Sequence, residues 1–153
     1  MKRFLASGFG VGLVWQNIFG NKKGGGTLAP LIFTILVYFL NLNVLALSIL
    51  FVSLLLIYFY SVEDHYADED PSWITLDEIV GMSLVSLASP SEMLPLIAGF
   101  LVFRASDILK QPKFISHLED YPGKLGVLYD DLGAGLLGLL SATIVHQVSL
   151  LTL

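Results

Sequence analysis

The chain has no cysteine, and only 14% of its residues are charged. The first absence excludes disulfides, zinc–thiolate sites and any cysteine-based phosphatase or protease mechanism. The second places the chain well below the roughly 25% of an ordinary soluble domain. Basic residues are scarcest: eight Lys and Arg stand against thirteen Asp and Glu, a net charge of −5, which argues against nucleic-acid binding. No period-2 alternation is flanked by turn residues, so strands are not expected. Internal repeats and low-complexity tracts are absent. No GxxxxGK[ST] is present, which excludes a P-loop enzyme, and "GFGVG" (Gly8 to Gly12) opens no strand–turn–helix unit.

Hydrocarbon is abundant instead. The 153 residues are 55% hydrophobic, with a mean hydropathy of +0.76. This length suits one domain, residues 1–153. The start, "MKRFLASGFGVG", has a basic end and an apolar continuation, but glycines replace a leucine core, so signal-peptide cleavage is not expected. Phe4 to Phe19 is apolar, interrupted by Gly8, Gly10 and Gly12. "NKKGGGT" (Asn21 to Thr27) is a polar glycine loop. Leu28 to Tyr60 reads as two helices joined by a turn at Asn41 and Asn43. Each has about 13 to 17 residues, ~20–25 Å long at 1.5 Å per residue, short for a ~30 Å bilayer core.

"EDHYADED" (Glu63 to Asp70) reads as an acidic loop. A further helix starts at Thr75 or Asp77 and is broken by "SPSEMLP" (Ser89 to Pro95). Leu94 to Phe103 is apolar again and leads into Arg104. Gln111 to Gly126 reads as a polar connection punctuated by Pro112, Pro122 and Gly123. A last helix, long enough to span a membrane, is expected from about Asp131 to Leu153. The expected fold is all-α: a compact bundle of short apolar helices, membrane-embedded or membrane-associated, with charged loops on one face.

That one-sidedness follows if Leu28–Tyr60 and Ile79–Phe103 are both hairpins. All eight Lys and Arg then share a face with every acid except Glu92. The positive-inside rule makes this the cytoplasmic face. Three charged clusters meet there: Asp70, Asp77 and Glu78; Arg104, Asp107 and Lys110; and Asp130 with Asp131. Each has a plain structural role available. Asp77 and Asp131 precede apolar helices and suit N-caps. Arg104, Asp107 and Lys110 suit an ion-pair ladder. "EDHYADED" suits a solvated loop. His65 and His117 read as surface residues, and His146 as a packed or interfacial one.

Taken together, the clusters ask for more. A cap needs one carboxylate, whereas Asp77–Glu78 and Asp130–Asp131 are pairs. Four or five carboxylates brought together repel unless a divalent cation sits among them, and oxygen ligands suit Mg²⁺, Mn²⁺ or Ca²⁺ rather than zinc. Arg104 as a planar fork and Lys110 as a point charge suit a phosphate. The glycine loop ending in Gly26 and Thr27 offers backbone amides. Metal, phosphate grip and membrane surface together indicate phosphoryl chemistry on a lipid. Asp68-Glu69-Asp70 has the Asp-x-Asp spacing of an aspartyl-phosphate enzyme but follows no buried strand. The rival from another class is a non-catalytic membrane scaffold or subunit with structural ion pairs. A lipid phosphotransferase would need a further aspartate array with an Ala-Arg pair, which this chain lacks.

The ordered motifs resemble the phosphatidylglycerophosphatase A family over roughly Gly8 to Gly138. They are Gly8-Phe9-Gly10; Gly26-Thr27; Asp70-Pro71 followed by Ile74 to Met82; Phe103 to Lys110; and Gly126 to Asp131 with Ala134-Gly135 behind. The resemblance implies a magnesium-dependent enzyme of the bacterial cytoplasmic (inner) membrane, with its site facing the cytoplasm. It would hydrolyse the terminal phosphate of phosphatidylglycerophosphate to leave phosphatidylglycerol. The chain departs from the family at Gly25-Gly26-Thr27, usually Pro-Gly-Thr, at Lys110-Gln111-Pro112-Lys113, usually Lys-Pro-x-Pro, and at Lys124, usually glycine. These departures bear on loop geometry and substrate range. The metal candidates are Asp77, Glu78, Asp107, Asp130 and Asp131. Asp131, Asp107 and Asp130 are the catalytic candidates, with Asp131 as general base. Arg104, Lys110, Thr27 and Gly26 are the substrate contacts. The partners expected are the phospholipid substrate and the membrane, with no nucleic acid, and oligomeric state is left open.

Overall fold

The computed structural model describes residues 1–20, 22, 24–67, 71–88 and 92–152, excluding the side chains of residues 66 and 67. Asp68, Asp70 and the Ser89–Ser91 part of the expected turn lie outside the described residues. Every regular element among the described residues is a helix. In order they are α1 (Lys2–Ala6), α2 (Val11–Phe19), α3 (Gly25–Leu40), α4 (Val44–Ser61), α5 (Asp64–Ala67), α6 (Leu76–Val85), α7 (Met93–Leu109), α8 (Lys113–Glu119) and α9 (Lys124–Thr152).

The α3–α4 turn falls where the two asparagines predict it. Asn41 ends α3 in the left-handed region at φ 48°, a conformation asparagine tolerates. Asn43 then caps α4, its side chain accepting from the Ala46 amide at 2.8 Å. The break between Ile79 and Phe103 is a break between two helices, α6 and α7.

Four expectations need correction: the glycine loop Asn21 to Thr27 is already helical at Gly25, where α3 begins, the acidic loop Glu63 to Asp70 holds the short α5, and two more lie nearer the C-terminus. The last helix begins at Lys124 rather than near Asp131. Gly123, at φ 61°, turns the chain, and Leu125, Leu128 and Leu132 then supply an apolar face at helical spacing. Asp131 is therefore eighth in the helix and cannot cap it. The polar stretch Gln111–Gly126 holds α8, whose Ile115 is fully buried. Its apolar Phe114, Ile115 and Leu118 carry the i, i+1, i+4 pattern of a short amphipathic helix.

The centre of the molecule is α6. It is only ten residues long, yet Leu76, Val80, Met82 and Val85 are wholly enclosed. α3, α4, α7 and α9 all pack around it. Past its acidic first turn this helix is apolar on most of its faces, and such a helix must be covered on those faces. Contact with α9 is close because both partners lack a side chain. A Cβ on Gly135 would lie 2.8 Å from the Gly81 carbonyl oxygen. Small residues of this kind let apolar helices approach backbone to backbone. At the charged end, the buried Tyr58 hydroxyl donates to the Lys124 carbonyl at 2.7 Å, tying the end of α4 to the start of α9.

The outer surface is apolar. Leu45, Ile49, Val52 and Leu56 along α4, and Leu136, Leu140, Ile144 and Val148 along α9, are exposed. Such continuous bands on a soluble monomer would exceed ordinary apolar patches. Two helices, Val44–Ser61 and Lys124–Thr152, are long and apolar enough to cross a membrane by length and composition. α4 has 18 residues, slightly above the expected length. At the end away from the acid pairs, Glu92 meets His146 at 2.9 Å, joining the start of α7 to the last third of α9.

A test of the α6–α9 contact is Gly135→Ala. The added methyl meets backbone rather than a flexible side-chain end, so a loss of about 1–3 kcal/mol is expected, read as a lower melting temperature in detergent. Leu136→Ala, on the exposed face, is expected to change it little.

Candidate active site

The helices bring three acids together. Asp77 and Glu78 occupy the first turn of α6, where the helix dipole favours negative charge. Asp131 reaches them from the second turn of α9, across the glycine contact. One carboxylate oxygen from each lies within 4.8 Å of the others. Asp77 and Asp131 are each 4% exposed. Glu78 is half-buried as a residue, but its Oε2 is covered and has no hydrogen-bond partner, and the same holds for Asp131 Oδ1. Burial, then the charges of Asp77 and Asp131, push the Glu78 carboxyl well above its ordinary value, with Arg104 pulling the other way.

Gly26 explains how Glu78 fits. It lies in the first turn of α3, and a methyl group there would overlap Glu78 Oε1. The carboxylate rests against the bare backbone of α3. Pro30, inside the same helix, has no N–H to offer the Gly26 carbonyl, so that carbonyl loses its usual helical donor.

Two cations line the same cleft. Arg104 donates to Asp107 Oδ2 at 2.6 Å and to the Thr27 hydroxyl at 3.1 Å. Its Nε is buried and unpartnered. Lys110, which ends α7 at φ 50°, donates to Asp107 Oδ1 at 3.3 Å and to Asp130 Oδ2. Asp130 also accepts the Asp131 amide at 2.8 Å. Burial works against the Lys110 charge, but Asp130, Asp107 and Glu119 outweigh it and raise its pKa. The expected Arg104–Asp107–Lys110 ladder therefore exists, and it faces the cleft.

All nine candidate residues line one cleft of about 940 Å³. The five acids divide, however. Asp77, Glu78 and Asp131 form the triad, while Asp107 and Asp130 are engaged by Arg104 and Lys110. Asp70 lies outside the described residues. His65 is exposed beside Glu63, and His117 is exposed on α8. The sequence reading missed Glu119 and Tyr121, which also line the cleft. Glu119 comes within 3.9 Å of Lys110, and the helical spacing of α8 was the signal that would have placed it there.

The donor set fits a hard divalent cation. It is all oxygen, two of the oxygens are covered and unpartnered, and six acids share the cleft with only two cations. An acidic cluster of this kind could hold a metal.

Fold and cleft together define a class: a helical protein with two helices able to cross a membrane, and carboxylates, arginine and lysine gathered in one cleft. The model of the family "Phosphatidylglycerophosphatase A" matches residues 4–146, and the chain belongs to that family. It is also similar to the "Putative phosphatidylinositol-3-phosphatase" of Bacteroides thetaiotaomicron, 32% identical over 139 residues, covering 86% of this chain and 84% of that protein. No solved structure matches. The chain is a lipid phosphatase.

The crowding at Glu78 has a measurable consequence. A carboxyl whose folded value is raised makes folding favourable for the protonated form, so its contribution to stability is lost as pH rises above the ordinary Glu value. Without divalent cation, Glu78→Gln is expected to raise the melting temperature at neutral pH and to flatten its decline with pH. Mg²⁺ is expected to stabilise the wild type and to stabilise this variant less. Wild-type melting unmoved by Mg²⁺ would count against a cation in the triad.

Proposed function

We propose that the protein is a magnesium-dependent phosphatase that hydrolyses the terminal phosphate of phosphatidylglycerophosphate, giving phosphatidylglycerol and phosphate. Its site faces the cytoplasm at the bacterial inner membrane. The single observation that carries this is the triad of Asp77, Glu78 and Asp131 gathered in one cleft with Arg104 and Lys110.

Asp77, Glu78 and Asp131 would hold the metal. Mg²⁺ bound there would supply Lewis-acid polarisation of the phosphoryl group and offset the triad's charge. Arg104 and Lys110 bind the phosphoryl oxygens, the first through its planar fork and the second as a point charge. Asp107 touches both cations and keeps them aimed into the cleft. Asp130 fixes Lys110 from the α9 side. Charge that develops on the phosphoryl oxygens in the transition state thus meets groups already oriented. Asp131, through whichever carboxylate oxygen the metal does not take, accepts the proton of the attacking water as the water oxygen bonds to phosphorus, and the ester oxygen takes a proton as its bond to phosphorus breaks and leaves as the alcohol. Thr27 and Gly26 place the α3 backbone beside the phosphate.

Support for the substrate comes from the family, and the relative named for phosphatidylinositol 3-phosphate defines the competing head group. Phosphate release should be measured from both lipids, with and without Mg²⁺. Faster turnover of phosphatidylglycerophosphate, lost on chelation, is the expected result. Arg104→Ala is expected to reduce kcat by about 10²–10³-fold, the usual cost of removing one oriented transition-state donor. Asp131→Asn and Asp107→Asn are expected to lower it by at least as much. Wild-type activity in all three variants would overturn the site. Full turnover without divalent cation would overturn the metal.

A further inference from the structure

We propose that the parted α3–α4 hairpin holds one acyl chain of the phospholipid substrate, in an apolar groove that begins about one helical turn from the carboxylate triad. The inference rests on the lipid-phosphatase reading above and says where that substrate's hydrocarbon goes.

α3 and α4 are consecutive, yet each packs chiefly on α6 and the N-terminal helices rather than on the other. The space between them is a groove of about 270 Å³. Ala29, Leu54 and Ile79 are its buried floor, and Phe9, Ile32 and Leu36 are exposed along its rim. Ser53 is the one polar side chain of the lining among the described residues. Its hydroxyl donates to the Ile49 carbonyl at 2.8 Å, so it adds no unmet polar group. An unfilled slot of this kind forfeits dispersion contacts on both walls, and hydrocarbon is what its chemistry admits.

The groove is aligned with the site. Gly26, Ala29, Phe33 and Leu36 are spaced i, i+3, i+7 and i+10 and so share one face of α3. The first of them touches Glu78 and lines the cleft, and the other three line the groove. At 1.5 Å per residue, Ala29 lies ~4.5 Å along α3 from Gly26, and Leu36 lies ~10 Å beyond Ala29. On α6 the same change happens in one step, from Glu78 in the cleft to Ile79 in the groove floor. A lipid with its phosphate between Arg104 and Lys110 has a hydrocarbon path leading down this face.

A second feature points to a ligand. Phe9 sits at φ 58° between Gly8 and Gly10, themselves at positive φ. The left-handed region disfavours any residue with a Cβ, and strain of this kind gathers at ligand clamps and active sites. Here it sets an exposed aromatic ring on the groove's rim, held by the Gly10 amide donating to the Ser7 hydroxyl at 3.1 Å.

The experiment is photo-crosslinking of the detergent-solubilised full chain, with adducts mapped by mass spectrometry. The probe is phosphatidylglycerophosphate carrying a diazirine midway along one chain, set against phosphatidylcholine with the same chain. Adducts are expected on α3 and α4 groove residues, about tenfold enriched for the phosphate-bearing probe. Ser53→Trp, which fills the groove, is expected to abolish them, whereas Val52→Trp, on the outward face of α4, is expected to keep them. Equal labelling by the two probes, or adducts spread over the outer faces of α4 and α9, would overturn the groove. Crosslinking needs no turnover. Groove adducts without phosphate release would therefore sink the phosphatase reading alone, and release with scattered adducts would sink the groove alone.

Discussion

Mutual repulsion among buried carboxylates is the constraint around which this molecule is arranged. Asp77, Glu78 and Asp131 come from two helices and are held in a space where their charges oppose one another. Only close backbone approach permits it, which is why glycine stands at both 81 and 135. The enclosure of α6 by four neighbours supplies the packing that holds the acids in place against their own electrostatics. Cohesion of an apolar bundle and cost of a polar centre are thus matched across one helix.

Arg104 and Lys110 temper that centre without neutralising it. Both are anchored to Asp107, so their positions are set before any ligand arrives. The anchoring leaves Arg104 Nε unpartnered. In the proposed reaction this is preorganisation: the cations do not have to be gathered from solvent as charge develops. An ion-pair ladder and a phosphate grip are alternatives only when read along the chain. In the proposed reaction the ladder is what aims the grip.

Much of this was legible in the sequence. The helical class followed from unbroken apolar runs, the α3–α4 turn from two asparagines, and the candidate acids from paired carboxylates beside hydrocarbon. Two things were hidden. Pro122, Gly123 and Gly126 lower local helix propensity and made the first turns of α9 read as connection, so that Asp131 passed for a cap. Packing against α6 overrides that propensity. The division of five acids into a triad and two cation-bound members was also beyond reach, because it depends on which carboxylate meets Lys110 from another helix. No spacing along the chain encodes that choice.

The tie from Tyr58 to the Lys124 carbonyl fixes how deep the chemistry lies. It sets the ends of α4 and α9 level, and Asp131 stands seven residues further in, ~10 Å at 1.5 Å per residue. The floor of the cleft is therefore recessed beneath the rim of the bundle. In the proposed reaction a head group would descend toward the hydrocarbon to reach it, instead of being plucked out into bulk water. On that reading, a substrate with a long tether and one with a short tether differ in how far they sink, and the depth of this well would act as a ruler for head-group length.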